Sequence, residues 1–288
     1  MANTTSFVSI TDLTQRLRWL WLVNAAVMPW GLLIGIIPAE LTGNVAWLMI
    51  GYPLFYIGVP LLDRLLGQDP NNHAEEDVPA LEADGYFKAA LFCALGGSIA
   101  ALCAGIYYAW WADLSIWGLA ALSVSCMGFG GGLLNLGHEL GHKRNRSDRW
   151  AASLALGIAA LPHFNVEHNR GHHRYVATPD DPASSKMGET FYQFILREQP
   201  LTWYRGWKLE AERLAKKGKS VLSLENEILP GVIIGLSFFT AIGLLFGPVI
   251  LGFALFSAWL GHMNLSLANY IEHYGLLRGK DSSGRYEP

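Results

Sequence analysis

The sequence predicts an all-α integral membrane protein with six transmembrane helices in three hairpins and a histidine-rich cytoplasmic region. Three observations support this fold class: long apolar blocks with almost no charge, very short connections between paired blocks, and histidines grouped where blocks end. Hydrophobic residues make up 51% of the 288 residues and charged residues only 16%, against about 25% in a typical soluble domain. Lipid is therefore the expected solvent for most of the chain, which we treat as one membrane domain over residues 1–288.

Six apolar blocks are long enough to cross a bilayer, which requires about 20 apolar residues. Glycine and proline inside these blocks are compatible with membrane helices, because neighbouring helices and side chains satisfy the freed backbone groups. The predicted spans cover residues 19–39, 45–62, 89–112, 114–137, 228–247 and 248–271.

The connections between the blocks predict the hairpins and their orientation. Residues 40–44, Asp113 and the Gly247-Pro248 junction form three short turns on one side of the membrane. Most Lys and Arg residues lie on the other side, in the tails and the long loops. The positive-inside rule therefore places both termini and the insert 138–227 in the cytoplasm.

Two further features limit what the chain does. The net charge is -3 and no basic aromatic tract occurs, which argues against nucleic acid as a partner. The apolar stretch 151–162 is too short to span, so we predict a re-entrant or interfacial helix that protein covers.

Six of the nine histidines fall into three groups. In His138-Glu-Leu-Gly-His142, two imidazoles four residues apart lie on one face of a helix. In His168-Asn-Arg-Gly-His172-His173, the same spacing pairs His168 with His172, while His173 is turned by about 100° and could serve a second metal. The third group is His273, where the sixth block ends.

The predicted topology brings these groups to one membrane face, because the fourth and sixth blocks both run toward the cytoplasm. Ionisable residues at membrane depth are costly and usually functional. We interpret His73 and His262 as ordinary surface or structural residues and leave a site role open for His163. The predicted metal ligands are His138, His142, His168, His172, His173 and His273.

The first group also reads H-E-x-x-H, the zinc-protease motif in which the glutamate is the general base. An intramembrane zinc metalloprotease that uses His138, Glu139 and His142 is therefore an alternative, and a metal-binding membrane protein without catalysis is another. A catalytic zinc takes three protein ligands and keeps one position open. Six candidate ligands in a lipid setting favour a pair of oxygen-activating irons.

Two sets of supporting residues follow from the same chemistry. A ligating imidazole usually donates its other N–H to a carboxylate or carbonyl. The nearby candidates for this role are Glu139, Glu167, Asp180, Asp181 and Glu272. An apolar substrate that dissolves in the bilayer needs an apolar channel to the metals, and we predict that Phe55, Phe129 and Leu133 line it, the alternative being ordinary helix packing.

Three segments resemble the membrane-bound alkane 1-monooxygenases, within the fatty acid desaturase/hydroxylase superfamily. They read Asn135-Leu-Gly-His-Glu-Leu-Gly-His-Lys143, Glu167-His-Asn-Arg-Gly-His-His-Arg-Tyr-Val-Ala-Thr-Pro-Asp-Asp-Pro182 and Asn269-Tyr-Ile-Glu-His-Tyr-Gly-Leu-Leu-Arg278. The similarity extends from about Leu20 to the last residue. The related fatty acid desaturases, a further alternative, have a shorter H-x-x-H-H second box, whereas this chain has H-x-x-x-H-H.

The resemblance implies a six-helical non-haem diiron monooxygenase of the bacterial inner membrane. Such an enzyme hydroxylates the terminal methyl of n-alkanes to 1-alkanols with O₂ and electrons from rubredoxin, which an NAD(P)H-dependent rubredoxin reductase reduces. By motif, the six histidines would be iron ligands. The basic residues Lys143, Arg144, Arg146 and Arg149 would suit an acidic rubredoxin or would serve only to anchor the topology.

The family pattern also includes a further H-x-x-H-H box, and no histidine follows His273 in these 288 residues. We therefore expect a C-terminally partial sequence in which part of the second iron site is missing. The expectation is that the 288-residue chain by itself binds iron poorly and is inactive.

Overall fold

The computed structural model describes residues 18–67 and 75–287, so the interpretation of His73 lies outside the described residues. Within these ranges the regular structure is helical, with one isolated bridge between Lys280 and Tyr286. A 3-10 helix (Val45–Met49) and a π-helical turn (His168–His172) interrupt the α-helices. The α-helices are α1 (Arg18–Gly31), α2 (Ile36–Thr42), α3 (Gly51–Leu66), α4 (Val78–Ala83), α5 (Gly85–Trp111), α6 (Ile116–Gly141), α7 (Arg146–Ile158), α8 (Phe164–Glu167), α9 (His173–Tyr175), α10 (Phe191–Ala215), α11 (Leu229–Phe246) and α12 (Pro248–His273).

Five helical segments in the described part of the chain are long and apolar enough to cross a membrane. They agree with the first, third, fourth, fifth and sixth predicted blocks, which confirms an all-helical multi-pass membrane protein. The five segments are Arg18–Thr42, Gly85–Trp111, Ile116–Gly141, Leu229–Phe246 and Pro248–His273.

The second predicted span, 45–62, is not one continuous helix. The Asn44 side chain accepts a hydrogen bond from the Ala46 backbone N–H at 3.0 Å, which starts the 3-10 helix, and α3 begins only at Gly51. A Cβ atom on Gly51 would lie 2.2 Å from the Leu32 carbonyl oxygen, so the break packs directly against the turn between α1 and α2. The second predicted span is thus broken where its backbone meets the turn between α1 and α2. The number of six spans therefore remains a prediction.

Helix α6 is the centre of the fold. Helices α5, α7 and α12 and the 3-10 helix all pack on it, and its contact with α12 is the most extensive. The crossing is close because glycine faces glycine: a Cβ atom on Gly261 would lie 2.8 Å from the Gly130 Cα atom. Small residues commonly allow such backbone approach between membrane helices. The crossing brings the C-terminal ends of α6 and α12 together.

The short apolar stretch 151–162 forms the second half of α7 and the turn after it. Helix α7 lies between α6 and α11, with Ala152 and Ala155 fully buried. The Gly157 carbonyl oxygen would be 2.6 Å from a Cβ atom on Gly235, so α11 also approaches closely. Protein therefore covers this helix, as the sequence predicts, while its position relative to a bilayer remains a prediction.

We predict that Gly261→Ala lowers the thermal unfolding temperature of the detergent-solubilised protein. The added methyl group meets the α6 backbone, and overpacking of this kind costs about 1–3 kcal/mol. Gly252→Ala on the same helix is the matched control, because a Cβ atom there meets nothing within 4 Å. Equal unfolding temperatures for the two variants would contradict the close crossing.

Candidate metal centre

Three parts of the fold carry the histidines to one place. The end of α6 holds His138 and His142, the π-helical turn and the start of α9 hold the second group, and α12 ends at His273. Gly141 helps to join them, because its missing side chain leaves room for Asn165 of α8, just before the π-helical turn.

Four histidines lie closest together. The candidate ligand atoms of His138, His142, His168 and His173 all lie within 4.8 Å of one another. The Nε2 atoms of His138 and His142 are 3.0 Å apart, and those of His168 and His173 are also 3.0 Å apart. His142 and His173 are exposed, whereas the other two are half-buried.

The second histidine group does not have the α-helical geometry that its spacing predicts. The His173 backbone N–H bonds to the His168 carbonyl oxygen, five residues earlier, so the turn is π-helical. This wider turn brings the Nε2 atom of His168 to that of His173. The His172 ring still stacks on His168, with the ring centroids 5.3 Å apart, but it does not belong to the group of four whose ligand atoms lie closest together. Single π-helical turns are rare in proteins, and those that do occur are often found at functional sites.

His172 instead faces the end of α12. Its ring centroid lies 4.9 Å from that of His273 and 5.3 Å from that of His168. His172 Nδ1 donates to Asp181 Oδ2 at 2.9 Å, which leaves Nε2 as the free ligand atom. His273 Nε2 is buried and has no hydrogen-bond partner among the described residues. The six histidines thus form one contiguous cluster of rings.

The geometry of the cluster fits a metal. Two ligands that bind one ion at about 2.1 Å, an ordinary metal–imidazole distance, and at a right angle would be about 3.0 Å apart. Both Nε2 pairs have this spacing. Imidazoles must be neutral to bind a metal, and burial together with the neighbouring histidines lowers the pKa of His168 to about 2. All-imidazole ligation suits iron, zinc, copper or nickel.

Asp181 is the carboxylate that directly contacts a histidine. It is buried, and it accepts hydrogen bonds from His172, from Ser184 Oγ at 2.6 Å and from Arg205 Nη2 at 2.7 Å. Burial raises the pKa of Asp181, but these three partners outweigh it and bring the pKa to about 2. The carboxylate therefore stays charged and holds the His172 ring in one orientation.

The other predicted carboxylates have different partners. Glu167 is buried and accepts from Arg205 Nε at 2.8 Å rather than from a histidine. Half-buried Glu139 forms an ion pair with Lys143 at 3.0 Å. Glu272 is exposed at the end of α12, and Asp180 accepts from Tyr286. Among the described residues, none of these four carboxylate groups is thus hydrogen-bonded to a histidine.

Arg205 of α10 is a site residue that the sequence did not reveal. Its guanidinium group bonds both Glu167 and Asp181, which lie on either side of the second histidine group. No motif marks Arg205, because its partners lie 24 and 38 residues earlier in the chain. It fixes α10 against the π-helical turn.

Two cavities lead from the apolar helices to the cluster. One, of about 410 Å³, is lined by residues that include Phe55 and Phe129. The other, also about 410 Å³, is lined by His138 and His168. The two share four lining residues: Tyr56, Gly131, Asn135 and Asn264.

The boundary between these cavities is polar, which the sequence did not indicate. The hydroxyl groups of Tyr52 and Tyr56 both donate to Asn264 Oδ1, at 3.0 and 2.6 Å.

Leu133, in contrast to Phe55 and Phe129, does not line either cavity. It is fully buried and borders a separate small space between α5, α7, α11 and α12, because its side chain projects toward the packed core of the bundle. The predicted channel role is therefore wrong for Leu133.

The helical membrane fold and the histidine cluster together define a class of protein. Residues 114–288 match the family described as fatty acid desaturase, whose model covers more than half of the chain. The class is thus that of multi-pass membrane proteins of the fatty acid desaturase type.

Within this class, the chain belongs to the alkane 1-monooxygenase family of oxidoreductases. It is 44% identical to alkane 1-monooxygenase 1 of Alcanivorax borkumensis, over 95% of this chain and 67% of that protein. It is 42% identical to alkane 1-monooxygenase of Ectopseudomonas oleovorans, over 97% of this chain and 69% of that protein. A xylene/toluene monooxygenase hydroxylase component of Pseudomonas putida is 30% identical over 51% of the chain. The chain therefore spans about two thirds of the length of the alkane 1-monooxygenases it matches.

We predict that Asp181→Asn weakens metal binding by about 10- to 100-fold, the usual effect of losing a carboxylate that orients a ligating histidine. Titration of the purified protein with Fe²⁺ and with Zn²⁺ measures the change. Asp180→Asn is the matched control, because the neighbouring carboxylate contacts Tyr286 instead of a histidine. An unchanged affinity in Asp181→Asn would remove this carboxylate from the site.

Proposed function

We propose that this protein is a non-haem diiron monooxygenase that hydroxylates the terminal methyl group of n-alkanes to 1-alkanols. One observation carries the proposal: six histidines form a single cluster where α6 and α12 end, in a member of the alkane 1-monooxygenase family. In each turnover one alkane, one O₂, two electrons and two protons would give one 1-alkanol and one water.

The six histidines would hold the irons in two adjoining sets. The first set is His138, His142, His168 and His173, and the second is His172 with His273. Two bound irons would supply the activation of O₂, which amino-acid side chains do not provide. The chain itself would fix the imidazoles, through Asp181 and Arg205, and would keep the surroundings of the reacting carbon dry.

The two apolar-side cavities would hold the alkane. The cavity at Phe55 and Phe129 lies among α1, α3, α5 and α6, and the shared residues connect it to the cavity at His138. An unbranched chain that lies along both cavities would present only its end to the histidines. This arrangement favours attack on the terminal methyl group, since binding geometry selects the reacting carbon.

The zinc-protease alternative is weaker. In such an enzyme Glu139 would act as general base beside a metal-bound water. Here the Glu139 carboxylate is ion-paired to Lys143, and the histidines exceed the three ligands of a catalytic zinc. The fatty acid desaturase alternative is also weaker, because relatives of 40–44% identity over nearly the whole chain are alkane 1-monooxygenases.

The function is tested on the full-length protein purified from bacterial membranes. We expect two irons per chain by elemental analysis and conversion of n-alkanes to 1-alkanols when rubredoxin, rubredoxin reductase and NAD(P)H are supplied. His138→Ala is the inactive control. One zinc per chain with peptide cleavage would instead favour the protease, and a double bond in a fatty acid product would favour the desaturase.

We also propose that the protein lies in the bacterial inner membrane with both termini and the histidines in the cytoplasm, where rubredoxin docks. Arg144, Arg146 and Arg149 are exposed beside exposed His142 and give the surface next to the cluster a positive charge. A basic surface would steer an acidic partner to this position, and steering of this kind weakens with salt.

We predict that charge reversal by Arg144→Glu and Arg146→Glu lowers kcat/KM for rubredoxin and reduces its dependence on ionic strength. The matched control is Lys216→Glu, an exposed charge at the end of α10. Steady-state turnover at several salt concentrations measures both effects. Docking at this surface is refuted if rubredoxin-dependent turnover changes neither with ionic strength nor with the charge reversal.

We predict that Phe55→Trp shortens the longest alkane that the enzyme accepts. Phe55 lines the cavity farther from the histidines, so a bulkier ring there reduces the length available to the chain. The product profile over alkanes of increasing length is the measurement. Phe92→Trp is the control. It is the same substitution at an exposed position of α5, and Phe92 does not line this cavity. An unchanged profile in Phe55→Trp would count against the channel.

A further inference from the structure

One buried acidic residue of the described chain differs from the rest. Five acidic side chains are buried: Asp148, Glu167, Asp181, Glu198 and Glu210. Four of them form ion pairs, Asp148 with a lysine and the others with arginines. Glu198 of α10 has no ion pair among the described residues. A buried carboxylate without a cation is costly, so Glu198 has a physical reason to carry a proton.

The contacts of Glu198 are with neutral donors on α12. Ser266 Oγ donates to Oε2 at 2.6 Å, and Asn269 Nδ2 donates to Oε1 at 3.1 Å. Burial raises the pKa of Glu198 to about 7, although these two hydrogen bonds act to lower it. Of the nearby charges, Glu167 raises the pKa further and Arg197 lowers it.

Glu198 lines a polar cavity that borders the histidine cluster. The cavity has a volume of about 190 Å³, room for several water molecules. Its lining includes Glu167, His168, His172, Thr202 and Ser266. Water in this cavity would find hydrogen-bond partners among these groups.

Two further histidines face this cavity. His163 is buried, and its Nδ1 atom has no hydrogen-bond partner among the described residues. His262 of α12 is the other, and its Nε2 atom bonds the Ala159 carbonyl oxygen at 2.6 Å. Burial lowers the pKa of His163 to about 3, so this ring is neutral. Burial also raises the pKa of Glu167, which lines the same cavity, but Glu167 is ion-paired to Arg205, whereas Glu198 has no ion pair among the described residues.

The polar cavity and the cavity beside His138 meet at the cluster. His168 and Asn269 line both of them. Asn269 also bonds Glu198 directly, so one side chain links the carboxyl group to the space where the alkane would react. The cluster thus has a path for an apolar substrate on one side and a polar space on the other.

We propose that Glu198 relays protons to the oxygen that is reduced at the histidine cluster. The inference rests on the proposed monooxygenase function, which consumes two protons and two electrons per O₂. A one-electron donor protein supplies the electrons. In each relay step the O–H bond of the Glu198 carboxylic acid breaks, and the proton passes through water in the polar cavity to the oxygen atom that leaves as water. Solvent then reprotonates the carboxylate.

The first test asks whether Glu198 holds a proton, and it needs no turnover. We expect the infrared spectrum of the protein below pH 7 to contain the carbonyl band of a buried carboxylic acid. The band shifts in D₂O, fades as the pH rises and is lost in Glu198→Gln. Glu210→Gln is the matched control, because this buried glutamate on the same helix is ion-paired to Arg170 and Arg213. Persistence of the band in Glu198→Gln, or its absence from the parent, overturns the proposal.

The second test measures proton delivery in the full-length enzyme. We expect Glu198→Gln to lower kcat by about a hundredfold, the lower end for a lost proton-transfer group. We expect the iron content and the KM for the alkane to stay unchanged in this variant. The solvent isotope effect on kcat rises, and a larger share of the O₂ consumed is reduced to hydrogen peroxide instead of yielding 1-alkanol. Glu198→Asp, which keeps a titratable group, restores most of the rate and shifts the pH profile.

The outcomes separate the relay from the proposed function. A parent enzyme that hydroxylates alkanes while Glu198→Gln keeps its rate and isotope effect overturns the relay alone. Equal loss in Glu198→Asp and Glu198→Gln without a change in pH profile also overturns it, since a merely structural role would give that result. A parent with iron, reductant and O₂ but no 1-alkanol overturns the proposed function and the relay with it.

Discussion

The close crossing of α6 and α12 is the contact on which the rest of the site depends. Gly130 and Gly261 let the two backbones touch, and a single methyl group at Gly261 would force them apart. Because both helices run in the same direction through the bundle, their last turns arrive at the same level. His138 and His273, which are 135 residues apart in the chain, can therefore belong to one cluster only while this crossing holds.

A network of charged side chains also positions the second histidine group. Arg205 binds Glu167 and Asp181, and Asp181 holds His172. Each buried charge here has an opposite charge beside it, so the network avoids the large penalty of an isolated buried ion. It connects α10 to the π-helical turn and gives the imidazole of His172 a fixed orientation.

The cavities on the two sides of the cluster differ in their lining residues, and this difference suits a reaction between an apolar substrate and oxygen. Toward α3 and α6 the cavities are lined largely by apolar side chains, interrupted where Tyr52 and Tyr56 bond Asn264. Toward α10 the cavity is polar and contains Glu198. On the proposals above, hydrocarbon and protons would thus reach the same rings from different cavities.

From the sequence alone follow the membrane class, five of the long apolar helices and the six histidines that meet, because apolar length and residue type are local properties. Tertiary structure decided the rest. The π-helical turn pairs His168 with His173, since the hydrogen-bond register of a turn depends on what packs around it. The break before α3, the role of Arg205 and the missing ion pair of Glu198 also appear only in the fold. Each depends on partners distant in the chain, which spacing along a sequence does not reveal.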